Sequence, residues 1–594
     1  MCGFIGIASK QKIDQNLVSI ENERIICRGP DETKIFNKEF NNLNIHLTFN
    51  RLSILELSEN GSQPIIDETN NYVLIFNGEI FNYIELKDRL KRYENQFRSS
   101  NSDSEVLLYG LINEGKDFLN KIIGQFAFVF FDFIKNEVIM ARDRTGQKPL
   151  FYCLVNDSLL TSSNLKSISN LSGEKNIDED SFSEYLAQGV VTSPNTIYKN
   201  IFKLEPGSVA TINLNEEKLK IRKEFYWNIV DFVSEKSNFD PNHFIDLISD
   251  SIELRLRSDV PVATFCSGGL DSSFIIKKIS EKGYNIPTFS VINQNPKYDE
   301  SQYINQVIKK YATDHTNDLI DDDINLSDLI KLNKLFDEPY CDASNFPSSL
   351  ISESISKKFK VAISGDGGDE IFFGYQRFQN YLKQKKLNNY FVDKMFGIYP
   401  GWLGTGNNIY RFHNDINKSY LSYFEDIKLI ELLNLDYESK LAKKYLNNEI
   451  NNVKNIMIFE NRYYLSELMN LKVDRTSMAH SLEVRSPFVD HRLIEYLLSC
   501  STESLNYKKP KTFVKSQLQD DFDHEFLNRK KMGFVFDLEG LIFSNKNNVK
   551  KYILDSNLES LVSLNKIEKL YRNKSRINGL RLYKLLIISD YLKC

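Results

Sequence analysis

A chain of 594 residues, 41% apolar and 26% charged, has the composition of an ordinary globular protein with room for about two to four domains. Its formal net charge of −5 gives no overall basic field, so nucleic acid is not an expected partner. No apolar run approaches the roughly 18–20 residues of a membrane span, and the first residues lack the basic and apolar regions of a secretory signal.

In chain order, residues 1–210 read as mostly β. Strands are predicted at Phe4–Ile7, Ile45–Phe49, Tyr72–Phe76, Gln125–Phe133 and Glu137–Ala141. A helix is predicted from Asn82 to Tyr93, where Leu86 and Leu90 share a face. Turn clusters at Asn60-Gly61 and Arg144-Thr145-Gly146 punctuate this block. The polar stretch 211–240 reads as a linker. From 241 to 594 strands alternate with helices: strand Pro261–Cys266, helix Asp271–Lys282, strand Thr288–Ile292, helix Ser301–Tyr311, strand Val361–Ser364. That alternation implies a parallel α/β sheet. The Asn/Lys-rich region from about 380 to 455 predicts helices of variable packing.

Seven cysteines, at positions 2, 27, 153, 266, 341, 500 and 594, show no Cys-x-x-Cys spacing. They argue against zinc or a disulfide framework and fit a reducing cytoplasm. Cys2 has a special place. Removal of Met1 would leave a cysteine carrying both a thiol and a free α-amine, a nucleophile with its own base (amine pKa roughly 7.7–8.0). Taken alone, a cysteine near a terminus is incidental. Here Gly3 and Gly6 bracket an apolar strand that would bury it. Amide hydrolysis also needs an oxyanion hole, which the Asn77 side chain and the Gly78 backbone N–H can form. A glutamine substrate carries a carboxylate, suited to Arg51, and an ammonium, suited to Asp103 with Glu79.

The second block carries Ser267-Gly268-Gly269-Leu270-Asp271-Ser272-Ser273 between a strand and a helix. The glycines admit a phosphate to the backbone, and the hydroxyls and helix N-terminus offer donors to an anion. Asp271 cannot bind phosphate directly, so its natural role is to hold Mg²⁺. No Gly-x-x-x-x-Gly-Lys-Ser/Thr loop occurs. A second loop, Gly365-Asp366-Gly367-Gly368-Asp369-Glu370, follows strand Val361–Ser364, so both loops would converge at the carboxyl ends of parallel strands.

These segments carry a resemblance. Met-Cys-Gly-Phe-Ile-Gly, Arg28-Gly29-Pro30-Asp31, Arg51-Leu52-Ser53-Ile54, Phe76-Asn77-Gly78-Glu79-Ile80, Ser102-Asp103-Ser104-Glu105 and Ala141-Arg142-Asp143-Arg144 stand in the order found in class II glutamine amidotransferases. The Ser-Gly-Gly-Leu-Asp-Ser-Ser loop resembles that of ATP pyrophosphatases. Together with Asp337-Glu338-Pro339, Lys472-Val473-Asp474-Arg475, Leu482-Glu483-Val484-Arg485-Ser486-Pro487 and Arg529-Lys530-Lys531-Met532-Gly533-Phe534, it is similar to the glutamine-hydrolysing asparagine synthetase family.

The resemblance implies an α+β N-terminal-nucleophile hydrolase domain, with antiparallel sheets between helices, followed by an α/β domain with a parallel sheet of ATP pyrophosphatase type. It implies that Cys2 forms a thioester, and that Arg51, Leu52, Ile54, Asn77, Gly78, Glu79 and Asp103 bind glutamine. It implies that Phe265, Ser267, Gly268, Gly269, Asp271, Ser272, Val291, Ser364 and Gly365 bind ATP, with Asp271 and Asp369 on Mg²⁺. Arg475 falls where the family keeps a cation near the developing charge, and Asp366 where it keeps an acid beside the intermediate. Cys27, Asn50 and Asn164 depart from the family pattern, and Cys27 and Asn164 bear on the domain interface or ammonia tunnel, and so on coupling rather than on chemistry. Aspartate is the favoured acceptor. A uronic acid of a bacterial surface polysaccharide is the alternative, and a homodimer is usual in the family. A non-catalytic scaffold would have lost Cys2, Asp271 or Asp369, and a β-lactam-forming relative would lack Cys2.

Overall fold

The computed structural model describes residues 2–293, 299–311, 313–320, 324–447, 449–529, 536–556, 558 and 563–592. The motif residues Lys530–Phe534 and Met1 lie outside the described residues.

Two six-stranded antiparallel sheets form the N-terminal domain. The first orders its strands Ile201–Lys203, Phe151–Val155, Ser158–Ser162, Gly3–Ser9, Leu43–Arg51, Glu32–Phe40. The second runs Ile221–Phe225, Ser208–Asn213, Glu137–Arg142, Gly124–Asp132, Tyr72–Ile80, Ile65–Ile66. Strand Gly124–Asp132 explains the layering. Its alternate residues point to opposite faces. Ala127, Val129 and Phe131 pack with Phe4, Leu47, Phe49 and Ile75 between the sheets. Phe126, Phe128 and Phe130 pack outward against Val106, Leu107 and Leu111 of helix Asp103–Glu114. With both faces buried, the strand reads as a nearly continuous apolar run. Helices cover the first sheet's outer face too, where Ile5 and Ile7 meet Ile168, Phe182 and Tyr185. The result is the N-terminal-nucleophile hydrolase architecture.

The stretch 211–240 corrects the linker expectation. It completes strand Ser208–Asn213 and supplies Ile221–Phe225, an edge strand with registers Ser208↔Phe225 and Ile212↔Ile221. The predicted helix over Asn82–Tyr93 is an α-helix only from Tyr83 to Arg89, followed by a 3₁₀ turn over Lys91–Gln96.

The second domain holds a five-stranded, all-parallel sheet ordered His315–Ile320, Thr288–Asn293, Val262–Phe265, Val361–Ile363, Glu483–Arg485. The first strand in sequence, Val262–Phe265, sits mid-sheet. The chain builds outward from it to one side and then the other, so the order reverses between Val262–Phe265 and Val361–Ile363. Ligands in such sheets bind outside the carboxyl ends at this switch point. Short helices fill 376–459, as the sequence led us to expect. The closing helix Arg576–Leu592 packs Tyr583, Leu586 and Ile587 into the same core as Phe182 and Leu186 of the first domain. The two halves therefore share one apolar core.

Candidate active sites

Cys2 opens the strand Gly3–Ser9 in the middle of the first sheet and is 6% exposed. Across the sandwich stands Asn77, on strand Tyr72–Ile80 of the second sheet, and its Oδ1 accepts the Cys2 N–H at 3.0 Å. The Asn77 Nδ2 is buried without a hydrogen-bond partner. A buried amide donor left open is costly unless something accepts from it, and an oxyanion formed at the Cys2 carbon target is such an acceptor. Gly78 has φ +152°, and a Cβ there would lie 2.1 Å from the Gln125 carbonyl, so only glycine holds this backbone. Burial pushes the Cys2 thiol pKa up. The N-terminal charge, the Leu52 N–H and Arg51 oppose it.

Three buried carboxylates crowd this site: Glu79, Asp103 and Glu483. Glu483 comes from the second domain. Asp103 Oδ2 accepts the Ile80 N–H at 3.0 Å. Arg485, fully buried, donates to Glu483 Oε1 at 2.6 Å and lies 3.3 Å from Glu79 Oε2. Burial pushes Asp103 up to about 6 and Glu79 well above the usual range. Burial also acts to raise Glu483, but cations including Arg485 and Lys148 hold it below the ordinary value. Arg485 is the guanidinium that reaches both Glu483 and Glu79, and Glu79 Oε1 has no hydrogen-bond partner. Buried carboxylates with raised pKa values and an open oxygen on Glu79 suit an ammonium.

Arg51 is less open than the sequence implied. Its guanidinium donates to the Ser58 carbonyl at 2.9 Å and to the Leu55 and Glu56 carbonyls. Leu52 serves Cys2 through its backbone N–H, while its side chain and that of Ile54 join Val260, Val262, Val361 and Met478 in an apolar cluster between the domains.

In the second domain the two glycine-rich loops meet at the switch point. The hydroxyls of Ser267 and Ser272 lie 3.0 Å apart, and Gly269 N donates to Ser267 Oγ at 3.2 Å. Gly268 adopts φ +64°, and a Cβ there would come within 2.8 Å of the Ile304 nitrogen. A Cβ on Gly368 would come within 2.7 Å of the Asp271 carboxyl carbon. Asp271 and Asp369, one from each loop, converge on Lys511 Nζ at 2.5 and 2.6 Å. Burial opposes that ammonium, but the two carboxylates hold its pKa above the ordinary lysine range. Phe265 and Val291 are half-buried at the carboxyl ends of adjacent strands. Ser364 Oγ donates to Asp366 Oδ2 at 2.9 Å and lies 2.7 Å from Ser486 Oγ.

Arg475, the expected cation of this site, is engaged by carboxylates. It donates to Asp337 at 2.7 and 3.1 Å and to Asp474 at 2.7 Å, and its guanidinium lies 5.7 Å from the Phe151 ring centre in the first domain. Asp474 is also gripped by Arg28, whose Nε donates to the Cys2 carbonyl at 3.2 Å.

A buried cysteine at the head of the first strand of an antiparallel sandwich, backed by a parallel sheet with paired glycine-rich loops, defines a glutamine amidotransferase fused to an amide-forming ligase. Comparison with known proteins agrees. A glutamine amidotransferase domain model matches residues 1–227 and an asparagine synthase model residues 243–589. Asparagine synthetase (glutamine-hydrolyzing) 1 of Bacillus subtilis is 30% identical over 559 residues, covering 90% of this chain and 87% of its own length. A putative asparagine synthetase (glutamine-hydrolyzing) 2 of Methanocaldococcus jannaschii is 36% identical over 406 residues, covering 64% and 76%. A solved glutamine phosphoribosylpyrophosphate amidotransferase of B. subtilis shares 18% identity, covering 50% of this chain and 68% of that one, at a TM-score of 0.29, too low to bear on the sites. The chain belongs to the asparagine synthase family, whose members use ATP.

Glu483, Arg485 and Lys511 were missed as site residues by sequence reasoning. The Leu482–Pro487 motif was visible, but nothing in it says that its strand faces the other domain.

Proposed function

We propose that the protein converts aspartate to asparagine with glutamine as nitrogen donor and ATP as activator. Aspartate as acceptor rests on the similarity to asparagine synthetases, and the observation that carries the coupling of the two reactions is the position of strand Glu483–Arg485. It pairs with Val361–Ile363, which leads into the Ser364–Asp369 loop, while Glu483 and Arg485 wall the Cys2 site. The two sites thus back onto one another.

Cys2 attacks the glutamine amide carbon. The oxyanion is received by Asn77 Nδ2 and the Gly78 N–H, and Glu79 and Asp103 hold the substrate ammonium. Collapse of this intermediate breaks the C–N bond and expels ammonia, which takes up the proton lost by the thiol, and water then hydrolyses the thioester to glutamate and the free thiol. The released ammonia has to avoid water, where it would be mostly ammonium. The apolar cluster of Leu52, Ile54, Val361 and Met478 packs between the domains and would keep water away from a path toward the loops. There the acceptor carboxylate attacks the α-phosphate of ATP, and the pyrophosphate leaves into the donors of Ser267, Gly269 and Ser272. Asp271 and Asp369 fit a hard cation, because they already converge on the single charge of Lys511. Bound there, Mg²⁺ would neutralise the pyrophosphate charge. Ammonia then attacks the adenylate carbonyl near Asp366 and AMP departs. Arg475 acts through Asp337 and Asp474, as a positioning residue.

The test is pyrophosphate release from ATP across a panel of carboxylates that includes aspartate and uronic acid sugars. Release that depends on aspartate supports the reading; release that depends only on another carboxylate overturns the acceptor.

A further inference from the structure

Seven of the seventeen large apolar side chains exposed among the described residues fall between Leu387 and Leu403. Leu387 leads into helix Asn389–Ile398, and the other six occupy that helix and the turn Gly401–Leu403 that follows it. The helix buries Val392 and Phe396 beneath it, Phe396 stacking on Tyr410 with ring centres 3.8 Å apart. On an adjoining face Phe391, Met395 and Ile398, spaced i, i+4, i+7, are exposed beside Tyr390. Tyr390 is 76% exposed and Ile398 79%, so these side chains stand out from the surface rather than line a groove.

The patch is rigidly mounted. Arg581 grips Asp426 at 2.6 Å through each of two nitrogens and donates to the Gly401 carbonyl, while Asn578 donates to the Trp402 carbonyl at 3.0 Å. These contacts bring the start of helix Arg576–Leu592 against the turn. Cations surround the patch. Lys383, Lys385, Lys386 and Lys394 are exposed on the helix and its approach, and Arg572 and Lys574 on the other side, where Asn573 donates to the Leu403 carbonyl. The helix has one acidic residue, Asp393, and Lys418 holds it at 2.7 Å. This collar is basic in a protein whose formal net charge is −5.

Protruding aromatic and aliphatic tips inside a ring of lysines and arginines are the chemistry of an interfacial helix on an anionic bilayer. A second copy of the same face would bring like charges together. A helix of ten residues lies on a bilayer and cannot cross it. We propose that the face built by Asn389–Leu403 and the start of the last helix docks the enzyme on anionic lipid headgroups.

The test is flotation of the full-length protein with phosphatidylcholine vesicles, with and without phosphatidylglycerol. Binding is expected only with phosphatidylglycerol, and it should fall as salt rises. Ile398→Ser with Phe391→Ser should weaken it about tenfold or more, as loss of two inserted side chains requires. Lys385→Glu with Lys386→Glu should weaken it as well, and glutamine hydrolysis should be unchanged in both variants. The proposal fails if the wild type ignores anionic vesicles, or if the serine variant binds like the wild type. It also fails if light scattering shows that the serine variant merely turns a dimer into a monomer. Capture by an acidic protein without binding to vesicles would likewise overturn it.

Discussion

Arg28 and Asp474 form a buried two-pronged ion pair, with nitrogen–oxygen distances of 2.9 and 3.0 Å, although they lie 446 residues apart and in different domains. Arg28 also holds the Cys2 carbonyl, and Asp474 also holds Arg475, so the pair ties the thiol's main chain to the synthetase domain. Breaking a buried pair leaves one charge uncompensated, so Asp474→Asn should cost about 3–5 kcal/mol in urea unfolding. Burial would raise the Asp474 carboxyl, but Arg28 and Arg475 hold it well below the ordinary range. Its stabilisation is therefore fully present above the ordinary carboxylate pKa of about 4 and is lost as pH falls below it. Arg28→Ala should also raise the ratio of glutamine hydrolysed to amide formed. Unchanged stability and unchanged coupling would contradict the link.

Cys2→Ala should abolish glutamine-dependent amide formation and leave ammonia-dependent formation in place. Loss of both activities would argue against two separate sites.

Asn77→Ala should lower kcat for glutamine hydrolysis by about 10²–10³-fold with little change in KM, because its free Nδ2 acts on the oxyanion rather than on the ground state. A change confined to KM would assign Asn77 to substrate binding instead.

Asp103 has a pKa near 6 in the fold, raised by burial. It binds an ammonium only when ionised, so KM for glutamine should rise as pH falls through about 6. In Asp103→Asn the KM should be high throughout and lose that dependence. A wild-type KM that stays flat between pH 5 and pH 7, with about 6 at its centre, would remove Asp103 from the ammonium site.

Asp271→Ala should eliminate carboxylate-dependent pyrophosphate release while glutamine hydrolysis survives. Lys511→Met should lower stability, since Asp271 and Asp369 would then face each other with no shared cation. It should also strengthen Mn²⁺ binding in the absence of ATP, measured by electron paramagnetic resonance. Weaker Mn²⁺ binding in that variant would place the metal elsewhere.

What was legible in the sequence was local. Strand Gly124–Asp132 announced itself because nearly every residue in it is apolar, which follows from burial on both faces. The loop Ser267–Ser273 was legible because its glycines and hydroxyls are contiguous between a strand and a helix, as an anion-binding loop requires. Strand Ile221–Phe225 was not. It is a sheet edge with four of its five side chains exposed, and it carries no apolar alternation to separate it from a linker.

The sequence by itself determined the candidate nucleophile, the candidate oxyanion donors, the two glycine-rich loops and the alternation that makes the second sheet parallel. Each depends on residues adjacent in the chain. Only the tertiary structure decided that Glu483 and Arg485 cross into the Cys2 site, that Lys511 stands between Asp271 and Asp369, and that Arg475 is held by Asp337 and Asp474. Those partners are separated by more than a hundred residues, apart from the neighbours Asp474 and Arg475. Charge pairing at such range leaves no periodic trace in the chain, because what selects the partner is burial in a shared interface.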